Sequence, residues 1–421
     1  MTVSLTSRWL AAKRIETVTD GAVRSLHVAQ TFGLYDAEGR TGHIAPLAAR
    51  LAAQGNEVSV VAAAYPPYSE PGVAKVGESE SAFPVTFLRS GFRYRTMTIN
   101  PGARSLFSQQ VTGVDVVHIH GLYDLLGPAA ATACRHWRVP YVVETMGMFR
   151  PVAGGRVRKW LFMRLFGRAM MRGAARFVVT SGREADDLIN GGIQADRVIV
   201  RHNGIEPVAA QAQAATGAGS AFRAAHGLGT DAPFVLFLGR ISPVKNIELL
   251  LAAFERSSVR DATLVIAGPA EGSKYLGRLR EIVRSSQPGD RVKFVGPIYG
   301  EDKAVALSEA ALLVLPSSNE NFGTVALEAM AVGTPVVVTE TCGVAEHVLG
   351  CKNPDAKNPN ETGGLVVGLN ADDMRAAMDS VLSDEALRAE LASGAKAIAA
   401  RLTWDEAARL TTDMYKQVLK S

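Results

Sequence analysis

Short apolar runs alternate regularly along the chain with longer stretches in which apolar residues have helical spacing. The apolar runs are rich in β-branched residues and occur at 25–30, 57–61, 114–119, 141–143, 177–180, 234–238, 263–267, 291–295, 312–315 and 335–338. They do not alternate strictly between apolar and polar side chains, as expected of parallel strands that helices cover on both faces. The pattern therefore predicts an α/β protein built from doubly wound parallel sheets.

A single interruption of this alternation divides the chain into two halves. Residues 208–221 are low in complexity, and they contain neither a strand nor a turn signal, so they indicate a linker or an insertion. We predict an amino-terminal domain over 1–207, a linker over 208–230 and a carboxy-terminal domain over 231–402. Ligands of such folds bind outside the carboxyl ends of the strands, so two facing domains would hold a ligand in the cleft between them.

Residues 403–421 carry a separate helical signal. Thr403 and Glu406 have the spacing of a capping box, and Trp404 begins an amphipathic run that continues to Leu419. The pattern predicts a carboxy-terminal helix. The sequence leaves open whether this helix packs on the carboxy-terminal domain or returns to the amino-terminal one.

Composition and charge argue against several classes of protein. The net charge of +4, from 45 basic and 41 acidic residues, is too small to indicate a nucleic-acid partner by itself. Cys134, Cys342 and Cys351 include no Cys-x-x-Cys pair, so we expect neither disulfides nor a zinc site, which fits a reducing cytoplasm. The first 24 residues lack the apolar core of a signal peptide. Without a run of about 18 apolar residues, no membrane span is expected.

A candidate anion site follows the apolar run 234–238. Arg240 and Lys245 lie in the loop after this run, and Asn246 is placed to cap a helix that begins at Ile247. Two cations at the carboxyl end of a strand and beside a helix N-terminus favour the binding of a phosphate group. The alternative is a solvated loop that carries two surface cations.

Two glutamates follow the apolar run 312–315. Glu320 lies in a strand-to-helix loop, and Glu328 lies one turn into the helix that Gly323 opens near Thr324. Eight residues of ideal helix span about 12 Å, which exceeds the roughly 5–10 Å between the paired carboxylates of glycosidases. The spacing suits two carboxylates that bind hydroxyl groups at two places on one extended ligand. The alternative is that both acids only complement the helix dipole.

These motifs together resemble those of the family 4 retaining glycosyltransferases. The resemblance rests on Gly239-Arg240 and Lys245-Asn246, followed by the two glutamates and by Glu-Ala-Met-Ala-x-Gly-x-Pro at 328–335. It extends over nearly the whole chain and is greatest to enzymes of exopolysaccharide and lipopolysaccharide synthesis, whose motifs resemble residues 120–123 and 145–148. The family implies the GT-B fold, in which two Rossmann-like domains face a cleft. The first domain would bind the acceptor and the second the nucleotide sugar.

The resemblance also implies roles for individual residues. Arg240 and Lys245 would bind the diphosphate of the donor. Glu320 would hold hydroxyl groups of the donor sugar, and Glu328 would bind the ribose diol. The segment between these glutamates would reach the sugar and phosphate, with Asn321, Phe322, Gly323 and Thr324 as donor-binding residues.

In the amino-terminal half, the resemblance singles out His120 and Gly39. His120 matches the family histidine that approaches the reacting carbon of the donor, and His118 would point to the same face of the strand. The alternative for either histidine is a buried, hydrogen-bonded side chain. Gly39 lies in the loop expected to approach the diphosphate, although Glu38 stands where the family usually has another glycine. Met146 stands where the polysaccharide enzymes often have arginine.

The implied reaction is hexose transfer from a UDP- or GDP-sugar to a saccharide, free or carried on polyprenyl diphosphate, in cell-surface polysaccharide synthesis. The chain contains no Asp-x-Asp motif, so neither a metal nor a cofactor is expected, and Arg240 and Lys245 would stabilise the leaving diphosphate. The family retains the anomeric configuration of the donor. A sugar-nucleotide epimerase and a non-catalytic sugar-nucleotide-binding protein are the alternatives on the same scaffold.

One segment of the chain is strongly basic. Residues 150–176 contain eight basic residues and no acidic one, and Arg164, Arg168 and Arg172 form a stripe with a spacing of four. Like charges at this spacing repel one another. A basic amphipathic helix indicates contact with an anionic membrane surface, whereas the alternative is a core helix whose arginines pair with distant acids. We therefore expect a cytoplasmic enzyme without a nucleic-acid partner, and the basic segment leaves open whether it lies peripherally on the inner face of the plasma membrane.

Overall fold

Two separate α/β units make up the protein in its computed structural model. The structure describes residues 21–30, 32, 42–64, 72–74, 83–94, 97–150, 156–205, 218–286, 289–349 and 362–421. The first unit comprises Met1–Gly204 together with Trp404–Ser421, and the second comprises Ile205–Thr403. The terminal segment therefore folds with the amino-terminal half of the chain.

An eight-stranded sheet forms the centre of the first unit. Its strands are β1 Arg24–Ala29, β2 Glu57–Ala63, β3 Gly72–Ala74, β4 Phe83–Leu88, β7 Val116–His120, β8 Tyr141–Glu144, β9 Arg176–Val179 and β10 Val198–Val200. The order is β10-β9-β8-β7-β1-β2-β4-β3, and every pair is parallel except β3 with β4. Two further strands, β5 Phe92–Tyr94 and β6 Met97–Ile99, form a separate antiparallel pair.

Helices pack on this sheet and bury its apolar side chains in two core clusters. They are α1 Ile44–Ala53, α2 Ala103–Gln110, α3 Leu126–Trp137, α4 Arg156–Phe162, α5 Arg168–Gly173 and α6 Gly182–Asn190. A π-helical turn, Met163–Gly167, connects α4 to α5. The side chain of Ser181 caps α6 by accepting a hydrogen bond from the Glu184 N–H.

The second unit contains a six-stranded parallel sheet. Its strands are β11 Phe234–Leu238, β12 Thr263–Ala267, β13 Val292–Gly296, β14 Leu312–Leu315, β15 Val336–Thr339 and β16 Gly364–Val367. Their order is β13-β12-β11-β14-β15-β16. Every residue of β11, β14 and β15 is buried, as expected of central parallel strands that are covered on both faces.

The remaining helices complete both units. Those of the second unit are α7 Ala218–Ala225, α8 Ile247–Glu255, α9 Ser273–Ser285, α10 Gly300–Glu309, α11 Thr324–Val332, α12 Ala345–Val348, α13 Ala371–Ser383 and α14 Glu385–Ala399. The terminal helix, α15 Trp404–Leu419, packs on α1 in the first unit. Its Trp404, Met414 and Tyr415 belong to the same core cluster as Ile44 and Leu47 of α1.

The predicted linker over 208–230 is wrong for positions 218–225, which form a helix. Residues 208–217 lie outside the described residues, but α7 occupies positions 218–225 and belongs to the second unit. Phe222 is buried with its ring 6.3 Å from that of Phe234. Arg223 forms an ion pair with Glu309 at 2.9 Å. Both partners lie outside the predicted linker, so its local composition gave no sign of them.

The predicted class of doubly wound parallel sheets is confirmed. Each predicted strand is present, and some ends are displaced by one or two residues. The edge strands β3, β10 and β16, the neighbouring strand β4 and the pair β5–β6 were not predicted, because each is short or lacks a continuous apolar run. Cys134 and Cys342 are buried free thiols, and Cys351 lies outside the described residues. Within the described part of the chain, none of the helices combines the length and apolarity needed to cross a membrane.

Candidate active site

The second sheet reverses its direction of growth between β11 and β14. From β11 the chain adds β12 and β13 on one side, and β14, β15 and β16 then follow on the other side. A crevice forms at such a switch point, outside the carboxyl ends of the two strands, and it is the usual ligand site of open α/β sheets. The loops that follow β11 and β14 carry Arg240, Lys245 and Glu320, so the fold places these predicted residues at the switch point.

The two cations after β11 occupy different environments. Lys245 ends the short 3₁₀ helix Pro243–Lys245 and forms an ion pair with Glu320, and only 15% of its side chain is exposed. Arg240 is half exposed and lies 3.3 Å from Glu271. Asn246 occupies the cap position of α8 as expected, but its backbone is left-handed and its side chain accepts no capping hydrogen bond. Lys245 is therefore the cation that the fold holds in place, while Arg240 stays largely solvated.

The loop that carries Glu320 is fixed by the segment after β15. The Glu320 N–H donates to the Thr341 carbonyl oxygen at 3.2 Å, and the Gly343 N–H donates to the Glu320 carbonyl oxygen at 3.0 Å. The Val344 N–H also donates to the Phe322 carbonyl oxygen. These backbone hydrogen bonds orient the loop, and the Glu320 carboxylate meets the Lys245 ammonium.

Gly323 forms the entry to α11 and requires the freedom of glycine. Its φ of 98° is left-handed, and a Cβ at this position would lie 3.1 Å from a Val344 methyl group. The first turn of α11 contains no acidic residue. The N-terminus of this helix can therefore attract an anionic group that reaches the switch point.

Glu328 has a cationic partner that the sequence did not predict. Its carboxylate accepts a hydrogen bond from the Lys303 ammonium of α10 at 2.7 Å, and 13% of the Glu328 side chain is exposed. Glu328 lies beyond the first turn of α11, so it does not serve to complement the helix dipole there. The structure thus has two carboxylate–ammonium pairs, Lys245–Glu320 and Lys303–Glu328, one in the loop before α11 and one on the helix itself.

His120 lies in a buried polar network in the first unit. His118 and His120 point to the same face of β7, as predicted, with stacked rings 4.2 Å apart. Glu144 lies 3.4 Å from His118 Nε2, 3.2 Å from His120 Nδ1 and 2.7 Å from an Arg201 nitrogen. All four side chains are at most 1% exposed. The negative charge of Glu144 and the positive charge of Arg201 thus meet inside the unit, out of contact with solvent.

The remaining ring nitrogens of this network also face partners. His27 Nδ1 lies 3.0 Å from His120 Nε2, and His118 Nδ1 lies 2.7 Å from the Tyr415 hydroxyl of α15. With Glu144 ionised, His118 carries its proton on Nε2 and His120 carries its proton on Nδ1, so both rings remain neutral. The ligand nitrogens of His27, His118 and His120 lie within 4.8 Å of one another.

Burial controls the protonation of the network. It lowers the pKa of His118 to about 4 and that of His120 to about 3, and it holds the pKa of His27 well below its usual value. Burial opposes ionisation of Glu144, but Arg201 and the two histidines outweigh it and lower the pKa of this carboxyl well below its usual range. Because His120 is enclosed, the alternative of a buried, hydrogen-bonded side chain is favoured for this residue. The contact of His120 with a donor stays a prediction.

The loop after β8 has a strained backbone held by a second buried acid. Met146 has a left-handed φ of 53° without being glycine, and Gly147 follows with a φ of 70°. Glu184 accepts hydrogen bonds from the Thr145 hydroxyl at 2.6 Å and from the Gly147 N–H. Burial raises the pKa of Glu184. Strain of this kind persists only where the surroundings impose it, and here Glu184 supplies that constraint.

Comparisons with known proteins show which family the chain belongs to. Models of two families match the chain, Glycosyltransferase Family 4 over residues 39–208 and Glycosyl transferases group 1 over residues 220–398. D-inositol 3-phosphate glycosyltransferase of Streptomyces bingchenggensis is 31% identical over 413 residues, which cover 92% of this chain and 86% of the relative. The protein of that name from Xylanimonas cellulosilytica is 34% identical and is matched over 72% of its length.

The chain belongs to the family 4 glycosyltransferases.

Solved structures show the same fold for this glycosyltransferase. A glycosyltransferase from Rickettsia africae superimposes with a TM-score of 0.74 and 15% identity, covering 96% of this chain and 100% of the other. Anabaena Alr3699/HepE in complex with UDP superimposes with a TM-score of 0.72 and 18% identity, covering 94% and 100%. At these identities the likeness shows the fold alone, and it confirms the predicted GT-B class of two Rossmann-like domains.

The sequence predicted Lys245, Glu320 and Glu328 as donor-site residues, and it did not predict several of the ion pairs that the fold forms. Lys245 and Glu320 are brought together, whereas Lys303, Glu144 and Arg201 were missed because each contact joins elements far apart in the chain. Gly39 and its loop lie outside the described residues. The predicted basic stripe, Arg164, Arg168 and Arg172, lies in the π-helical turn and α5 of the first unit.

Proposed function

We propose that this glycosyltransferase moves a hexose from a nucleoside-diphosphate sugar to an acceptor hydroxyl, without a metal ion and with retention of the anomeric configuration. The observation that carries the proposal is the pair of carboxylate–ammonium contacts, Lys245–Glu320 and Lys303–Glu328, around the N-terminus of α11. Carboxylates suit hydroxyl groups, while a lysine and a helix N-terminus suit phosphates. A nucleotide sugar presents all of these groups along one extended molecule.

Each residue of the predicted donor site then has a role. Lys245 and Arg240 bind the diphosphate, and Glu320 binds hydroxyl groups of the hexose. Glu328 binds the ribose diol, and Lys303 holds that carboxylate in place at 2.7 Å. The backbone between the two glutamates, from Asn321 to Thr324, lines the sugar and the phosphate.

Catalysis in this proposal rests on stabilising the leaving group. The bond between the anomeric carbon and the phosphate oxygen breaks while the acceptor oxygen forms its bond to the same face of that carbon. The acceptor proton passes to an oxygen of the departing diphosphate, so no side chain acts as the base. Fixed positive groups, here Lys245, Arg240 and the N-terminus of α11, lower the free energy of the developing charge. Glu320 positions the sugar and forms no covalent bond to it.

Two acceptor classes are candidates. A saccharide, free or linked to polyprenyl diphosphate, follows from the motifs shared with enzymes of cell-surface polysaccharide synthesis. D-inositol 3-phosphate is the second candidate, because the relatives that are 31% and 34% identical carry its name. Both acceptors offer a ring hydroxyl as the nucleophile. D-inositol 3-phosphate and a saccharide linked to polyprenyl diphosphate also offer a phosphate group for recognition.

The test is turnover of UDP- and GDP-hexoses in EDTA, with each acceptor supplied separately. We expect nucleotide release that depends on an acceptor, and a product whose anomeric configuration, measured by NMR, equals that of the donor. Lys245→Met should lower kcat by roughly 100-fold or more, whereas the matched exposed control Lys274→Met should not change it. Inverted product, or a covalent glycosyl-enzyme detected by mass spectrometry, would contradict the mechanism.

The same assay separates the alternatives on this scaffold. An epimerase would convert one sugar nucleotide into another without any acceptor. A non-catalytic binding protein would bind the nucleotide sugar and release no nucleotide with either acceptor. Activity that requires a divalent cation and is lost in EDTA would contradict the metal-independent part of the proposal.

A further inference from the structure

The helical stretch of the first unit that comprises α4, the π-helical turn and α5 exposes an unusual amount of apolar surface. Eleven large hydrophobic side chains are exposed in the described part of the chain, and five of them lie between positions 157 and 166. They are Val157 at 78%, Trp160 at 60%, Leu161 at 47%, Leu165 at 61% and Phe166 at 43%. Such a concentration of exposed apolar side chains marks an interaction surface.

The same stretch carries exposed positive charge. Arg164, Arg168 and Arg172 are exposed, and none of them forms an ion pair with another described residue. No acidic residue occurs anywhere in positions 150–176. The alternative that these arginines pair with distant acids therefore finds no support within the residues that the structure describes.

The opposite face of the stretch is anchored in the core. Met170 and Met171 are buried in the core cluster, and Gly167 is buried as well. The Phe162 ring lies 5.8 Å from the ring of Tyr123, and the Lys159 ammonium lies 5.3 Å from the centre of the same ring. The exposed face is thus held in a fixed orientation by the folded unit, and its exposure does not arise from a detached helix.

We propose that this face, Val157 to Arg172, binds the surface of an anionic lipid bilayer. Trp160, Leu161 and Leu165 would enter the boundary between headgroups and acyl chains, and the arginines would contact lipid phosphates. The charge and chemistry of this face favour an anionic bilayer over a second copy of the chain or a nucleic acid. A second copy of the chain would oppose arginines with arginines, and a nucleic acid would leave the aliphatic side chains without a stacking partner.

The proposal does not depend on the donor chemistry. The residues of the exposed face, Val157 to Arg172, belong to the first unit, and none of them is among the predicted donor-site residues. Membrane binding would place the enzyme at the bilayer surface, where an acceptor linked to a lipid would be found.

The test is flotation of the full-length protein with vesicles of phosphatidylcholine alone or mixed with phosphatidylglycerol, at low and at high salt. We expect binding to the anionic vesicles that weakens as salt increases. Arg164→Gln, Arg168→Gln and Arg172→Gln combined should lower the partition coefficient by about 100-fold, since each basic residue contributes about fivefold. A matched triple variant of exposed arginines in the second unit, Arg256, Arg278 and Arg284 to Gln, should bind like the wild type.

Insertion of the apolar side chains is measured separately. Trp160→Phe should remove most of the blue shift that anionic vesicles produce in tryptophan fluorescence, and Leu161→Ser with Leu165→Ser should weaken binding. Unchanged nucleotide affinity and thermal unfolding would show that each variant is folded. Equal binding to neutral vesicles, wild-type binding by the arginine triple variant, or a stable dimer through this face in light scattering without vesicle binding would overturn the proposal.

Discussion

Replacing Glu144 with glutamine would test whether the negative charge of this residue compensates the buried positive charge in the first unit. Glu144 is 1% exposed, and its carboxylate is the charge partner of the equally buried Arg201 at 2.7 Å. Its other oxygen lies 3.4 Å from His118 Nε2 and 3.2 Å from His120 Nδ1. Glutamine has the same shape but no charge, so Arg201 would remain as a buried, unbalanced cation.

The expected cost follows from this geometry. Breaking a buried ion pair by removing one partner costs about 3–5 kcal/mol, because the other charge loses its compensation. For a folded unit of this size, each kcal/mol corresponds to about 2–4 °C, so the melting temperature should fall by about 6–20 °C. Asp115→Asn breaks the exposed pair with Arg24 and is the matched control, for which about 0–1 kcal/mol is expected.

Tryptophan fluorescence provides a selective assay. Residues 205–403, which form the second unit, contain no tryptophan, and the buried Trp404 of α15 lies in the first unit, so tryptophan emission follows the unfolding of the first unit. Chemical denaturation followed by this signal gives the free energy of unfolding for wild type, Glu144→Gln and Asp115→Asn. A cost below about 1 kcal/mol for Glu144→Gln, equal to that of the control, would refute the account of the network.

Two further predictions concern protonation and the donor site. The histidine pKa values of about 4 and 3 lie below the unfolded value of about 6.5, so stability present above that pH is lost as the pH falls towards 4. Denaturation followed by tryptophan fluorescence should therefore give a lower free energy of unfolding at about pH 5 than at about pH 7.5, and equal values would contradict the burial of neutral histidines. Lys303→Met should weaken nucleotide binding about tenfold, since it frees the carboxylate of Glu328. Calorimetry should show that Lys303→Met lowers the affinity for a 2′,3′-dideoxy nucleotide less than the affinity for the parent nucleotide. An equal loss of affinity for the two nucleotides would show that Lys303 does not act through binding of the ribose diol.

The sequence was most informative where a local pattern determines the structure. The central strands β11 and β14 are continuous apolar runs, and Gly323 at the start of α11 has the left-handed backbone that glycine permits. The positions of Lys245 and Glu320 at the carboxyl ends of neighbouring strands follow from the order of the sheet. Their direct contact was not predicted, although both residues were.

Other features depend on tertiary contacts that no local pattern encodes. Lys303 reaches Glu328 because α10 packs beside α11, and nothing in the sequence around position 303 marks it. Tyr415 reaches His118 because α15 returns to the first unit. The helix α7 within the predicted linker owes its place to Phe222, whose partner Phe234 lies in a different element. Sequence patterns therefore located the candidate donor residues, whereas the contacts that hold them required the folded structure.

We propose that the second unit binds a nucleoside diphosphate through Lys245, Glu320 and Glu328 without a metal. Calorimetric titration of the protein with UDP, GDP, ADP and dTDP in EDTA tests it most directly, with Glu328→Ala and the exposed control Glu390→Ala alongside the wild type. We predict saturable binding of one of these nucleotides, weakened roughly 10- to 100-fold in Glu328→Ala and unchanged in the control. Absence of binding by all four nucleotides, or equal affinity of wild type and Glu328→Ala, would contradict the proposed donor site.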